Sequence, residues 1–134
     1  MPWYRIALAV LAGGAVSSLT DWLFMGDWLY KRYDRHPEIW RYPGGAGESK
    51  AIFWSSVLPF LTCGIFILLC SGLRFHSWRE TFKLAAAIWL IGPLPLIITN
   101  AVWMKISGVI AASFSLGWLV KLCVAAIAAA VLWK

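Results

Sequence analysis

The sequence predicts an all-α integral membrane protein: one four-helix bundle, up-down-up-down, with an interfacial aromatic segment after its first helix. Three observations lead there. Four apolar segments, residues 6–25, 51–73, 82–104 and 108–133, fill most of the 134 residues. Each is about 20 residues or longer, the length that crosses a hydrocarbon core of about 30 Å. Hydrophobic residues make up 61% of the chain and mean hydropathy is +0.74. Charged residues are 13% of the chain, where a water-soluble domain carries about 25%. A chain of this length makes one domain, residues 1–134, with helices expected at about 4–26, 51–73, 82–104 and 108–133 and a long loop over 27–50.

The first segment begins after Arg5 and carries small residues at 13–18, a layout shared with signal peptides. It is read here as a retained first membrane helix. Ala9, Gly13 and Ser17 stand four apart, and Gly14 and Ser18 repeat that spacing. Faces of this kind let helix backbones approach closely in lipid, so a packing seam inside one chain is expected ahead of a dimer seam.

The connection 27–50 alternates aromatic rings (Trp28, Tyr30, Tyr33, Trp40, Tyr42) with Lys31, Arg32, Arg35 and Arg41. Rings of this type sit at the headgroup level and cations meet phosphates there. Trp28, Lys31, Arg32, Arg35 and Trp40 are therefore the expected lipid-headgroup contacts, on a short interfacial helix broken before Pro37. Pro43, Gly44 and Gly45 then turn the chain.

In the second segment Pro59 predicts a kink or a late helix start. Residues 74–80 read as a short basic loop that folds the second and third helices into a tight antiparallel hairpin. Gly92, Pro93, Leu94 and Pro95 interrupt the third segment near its middle. Freed backbone groups in hydrocarbon cost several kcal/mol each, so this break is expected to pack against protein rather than lipid. Residues 104–107 form a tight turn into the last helix.

An even number of spans puts both termini on one side. Arg5, Arg74, Arg79, Lys83 and Lys134 then face Lys31, Arg32, Arg35, Arg41, Lys50 and Lys105 across the membrane, a near balance under the positive-inside rule. The tight cluster at 74–83 favours cytoplasmic termini. The net charge of +6 follows from such flanking residues. Basic residues beside membrane spans meet anionic lipid and set topology, so no nucleic-acid partner is expected. Cys63 and Cys70 stand about 10 Å apart along one helix, beyond disulfide reach, and with Cys123 they read as small buried hydrophobes. His36 and His76 have no further ligand at metal spacing; no metal, cofactor or catalytic residue is expected.

Polar groups inside the membrane are costly and mark candidate sites. Asp21 lies about 8 Å inside the end of the first helix. Counting depth along each helix brings Ser17, Thr20, Ser55, Ser56, Thr99, Asn100 and Ser113 into the same layer. Asp21, Asn100, Ser55, Ser56, Thr20 and Ser17 are thus the candidate ligand-binding residues, with Asn100 and Ser55 or Ser56 the first choices as partners of the carboxylate. Asp21 also reads as a plain staple between helix ends, held by Lys105 or a loop arginine. Lys121 is about 20 Å from the start of the last helix. It is expected to snorkel to the opposite headgroups and not to reach Asp21.

Two stretches carry a resemblance. The first is Asp21-Trp22-Leu23-Phe24-Met25-Gly26 with Pro37-Glu38-Ile39-Trp40; the second is Pro95-Leu-Ile-Ile-Thr-Asn100 with Lys105 and Gly117-Trp118-Leu-Val120. Together they resemble the small bacterial four-helix family catalogued as domain of unknown function 1761. That resemblance implies an integral membrane protein of a bacterial cytoplasmic membrane and no particular reaction. The general layout is similar to that of small multidrug-resistance exporters, although Asp21 lies nearer the helix end and the long first loop is foreign to them. The expected function is non-enzymatic: a structural, accessory or ligand- or lipid-binding membrane protein. Its partners would be membrane lipid, a second copy or another membrane protein. The alternative is a small dimeric proton-coupled or cation transporter using Asp21.

Overall fold

The structure is a computed structural model that describes residues 2–24 and 48–134. The aromatic connection and the headgroup contacts expected on it (Trp28, Lys31, Arg32, Arg35 and Trp40) lie outside the described residues. Helix α1 spans Trp3–Asp21 and continues as one wider turn to Phe24. Helix α2 spans Glu48–Gly72, α3 Trp78–Ile91, α4 Pro93–Trp103 and α5 Gly108–Leu132. α3 and α4 are the two halves of the third span, so among the described residues four helical spans are long and apolar enough to cross a membrane. The chain is an all-α four-helix membrane bundle.

The last span organises it. α5 packs against every other helix, α1 packs on α2, and α3 packs on α4. Half of the apolar window of α5 is buried, against 11–22% for the other spans. Its composition explains this. Lipid supplies no hydrophobic drive for helix association, so close approach of backbones must provide dispersion contacts instead. Ser113, Gly117, Ala125, Ala126, Ala129 and Ala130 are buried on α5 and keep its surface thin on several sides. Around it, Cys63, Phe66, Ile67 and Cys70 of α2 and Ala85 of α3 complete the core. The three cysteines are free.

The expected hairpin of the second and third spans is corrected by this arrangement. Their loop is short, but α5 takes up the packing faces of both α2 and α3. A short loop fixes where two helices begin, not what lies between them further along. Just past α2, Arg74 has φ 56°, and the Phe75 amide donates to the Cys70 carbonyl at 2.9 Å. This left-handed residue closes the orphan carbonyls of the last turn.

The third span starts four residues before the expected 82 because residues 77–80 are a capping box rather than loop. The Ser77 hydroxyl accepts from the Glu80 amide at 3.3 Å, and the Glu80 carboxylate accepts from the Ser77 amide at 3.2 Å. Ser-x-x-Glu before an apolar run is the sequence signature of this device. Ser77→Ala should lower stability in detergent by about 1 kcal/mol, read as a shift of the unfolding midpoint on thermal or denaturant titration.

The span breaks at Gly92, whose φ of −114° and ψ of −89° end α3 and start α4. Pro93 and Pro95 become the first and third residues of α4. The first amides of any helix have no intrahelical acceptor, so prolines remove nothing there. The expectation that the break would be packed away from lipid is corrected: Gly92, Pro95 and Leu96 are exposed, Pro93 and Leu94 are half-buried, and Ile91 is 80% exposed. Restarting the helix answers the donor half of the cost without protein cover. Pro59, by contrast, sits buried inside a continuous α2, which neither starts late nor splits there.

Candidate functional site: an intramembrane ion pair

α1 and α5 run antiparallel and meet along a seam. Gly13 faces Ala128 at one end, and Phe24 lies over Gly117 at the other. Between these contacts Lys121 Nζ stands 2.7 Å from Asp21 Oδ2, and the two side chains are 9% and 21% exposed. Residues 117, 121, 124 and 128 recur at helical spacing, so one stripe of α5 presents glycine, the lysine, Val124 and alanine to α1.

This pair overturns the expectation that Lys121 snorkels away from Asp21. Its backbone does lie near the middle of α5, but depth of backbone is not depth of charge. A helical side chain slopes toward the helix N-terminus and covers the turn before it. For Lys121 that direction leads toward Gly117 and the level of Asp21. Gly117 leaves the turn open, and the Trp118 ring lies 4.3 Å from the ammonium, a cation–π contact that guides the stem. The opposite direction ends on the alanine-rich part of α5, which is sealed in the core.

Asp21 needs this partner. It ends α1, where unsatisfied carbonyls make the local potential negative and disfavour another negative charge. Burying one unpaired carboxylate in the membrane interior would add several kcal/mol. The ammonium answers both penalties. A second polar contact fixes the register next to it, where the Ser113 hydroxyl donates to the Phe24 carbonyl at 3.2 Å.

The other members of the expected polar layer do not converge on Asp21. Ser18 donates to the Ser56 carbonyl at 3.0 Å, joining α1 to α2, and Ser56 donates to its own helix at Ile52. Thr20 turns back to the Ser17 carbonyl at 2.9 Å. Ser55 and Thr99 are exposed. Asn100 is half-buried on α4, a helix that packs on α3 and α5, whereas α1 packs on α2 and α5. Ser17 is fully buried, and its hydroxyl has no hydrogen-bond partner among the described residues. These groups share a depth, but direction around each helix separates them. Of these groups Ser18 joins two helices, and among the described residues the Asp21–Lys121 ion pair links charged side chains of two spans.

On the far side of α5, the Trp89 indole donates to the Ser115 carbonyl at 2.9 Å and ties α3 to the central helix. At the end where α5 finishes, the His76 and Trp133 rings meet at 4.2 Å and Lys134 lies over Trp78. Among the described residues no group of His, Cys, Asp and Glu side chains is arranged to hold a metal ion. No family model, curated protein or solved structure matches the chain.

Proposed function

We propose that this chain is a non-enzymatic membrane protein of the structural or accessory kind, a pre-assembled four-span unit that works by binding lipid or a partner within the bilayer. The observation that carries it is the Asp21–Lys121 pair, in which each membrane charge is neutralised by the other across the α1–α5 seam. A pair closed in this way holds two spans together and offers no free charge to a passing ion. The resemblance to domain of unknown function 1761 and a bacterial cytoplasmic membrane belong to the same proposal. So do termini on the cytoplasmic side, where Arg74, Arg79 and Lys83 would lie with them.

One observation favours a second reading, a small dimeric transporter coupled to protons or cations. Asp21 retains 21% exposure, so its carboxylate is less sealed than its partner. Proteoliposomes holding a pH-sensitive dye separate the two. An accessory protein gives no proton flux after an acid pulse, in wild type or Asp21→Asn, while the variant melts earlier in detergent. Proton flux in wild type that vanishes in a well-folded Asp21→Asn would establish the transporter instead.

A further inference from the structure

We propose that the groove between α1 and α5 is a phospholipid site, with one acyl chain lying between the helices and the lipid phosphate on Arg5. The proposal is independent of the ion pair, which lies beyond the inner end of this groove.

The groove is a cavity of about 500 Å³, within the range of about 300–1,000 Å³ typical of small-molecule sites. Ala9, Ala12 and Gly13 of α1 and Ala128 of α5 keep it hollow between walls of larger aliphatic side chains. Close approach is possible only where Gly13 meets Ala128; around that point the alanines are too short to fill the angle between two cylinders. In water such a hollow would be a liability. In a bilayer it is a slot for a flexible hydrocarbon.

Length and charge decide which hydrocarbon. From Arg5 to Val16 the groove follows eleven residue steps of α1, about 16 Å at 1.5 Å per residue. That is the depth of one leaflet, about half of a 30 Å core. A helix from a second copy would cross both leaflets and seek a groove of twice this length. A lipid chain is confined to one leaflet, and a groove of one leaflet's depth matches that length. At the outer end sits Arg5, exposed and without an acidic partner among the described residues. Trp3 and Tyr4 beside it are 79% and 54% exposed, as suits rings at the headgroup level. A guanidinium matches the phosphate oxygens with paired donors. The apolar slot and the cation are thus spaced as an acyl chain and its phosphate are spaced.

The test uses the full chain in mild detergent, with native mass spectrometry after addition of dioleoyl phosphatidylglycerol or dioleoyl phosphatidylcholine. One lipid should stay bound beyond the random distribution, with the anionic lipid retained better. Arg5→Gln should weaken retention of phosphatidylglycerol by about fivefold, the contribution of one basic residue at a membrane surface. Ala12→Phe, at an exposed position that borders the hollow, should fill the slot and abolish the specific adduct of both lipids with helicity unchanged. Inorganic phosphate, which has no chain, should not compete. Equal adducts in wild type and Ala12→Phe would overturn the proposal. So would cross-linking of Ala12→Cys chains to one another through the groove, which would put a second copy there.

Discussion

Lys121→Met should destabilise the bundle by roughly 3 kcal/mol, and Asp21→Leu by a similar amount. The double variant should recover most of the loss. The asymmetry comes from desolvation. Together the two charges sit 2.7 Å apart, and their attraction in a medium of low dielectric offsets much of the cost of leaving water. Removing one partner leaves the other charge uncompensated, at about 3–5 kcal/mol in buried pairs. Removing both replaces the pair with apolar contacts of similar volume, often neutral or better. Unfolding in detergent over the four variants gives a double-mutant cycle, and its coupling term is the quantity to read. If the single losses simply add, the pair does not join α1 to α5, and the staple assigned to it is wrong. Trp118→Leu should cost far less, because a cation–π contact contributes about 0.5–2 kcal/mol.

The ion pair also marks the limit of what was legible in the sequence. The spans, their order and the common end shared by α1's start and α5's finish follow from segment length and even count, which chemistry at the scale of 20 residues dictates. The interior seam was legible too: Gly13, Gly14 and Ser17 are buried within the chain, as spacing four in an apolar helix predicts. Partners of polar side chains were not legible from depth. Two residues at one depth on different helices meet only if both face the same neighbour, and Asn100 on α4 is on a helix packed elsewhere than α1. Lys121 escapes a depth count for a different reason: its side chain reaches several ångströms toward the N-terminus of α5, so its charge lies at another level than its backbone. A capping box at Ser77–Glu80 was visible as Ser-x-x-Glu, but the charges of 74–80 had marked that stretch as loop. The centrality of α5 could have been suspected from its run of alanines, which needs neighbours on more than one side to be useful.

Gly14→Ala should lower stability by about 1–3 kcal/mol, although alanine is normally the better helix former by about 1 kcal/mol. The reversal of sign is the informative part. A Cβ built on Gly14 runs into the ring of Phe60 on α2, and one on Gly13 comes 2.5 Å from Cys63 Sγ and 3.2 Å from Ala128 Cβ. These glycines are where α1 is pressed onto α2 and α5, and an added methyl must push a helix away or drive a ring off its rotamer. Phe60→Leu in the Gly14→Ala background should restore part of the loss, because the shorter side chain clears the new methyl. Gly108→Ala supplies the control. A Cβ at Gly108 meets nothing within 4 Å, so that change should be neutral or mildly stabilising in the same detergent titration. Should Gly14→Ala match Gly108→Ala, α1 is not held against α2 by backbone approach. The polar contact of Ser18 with Ser56 would then be left to set that interface, contrary to the principle that small residues govern packing where lipid competes equally for every apolar surface.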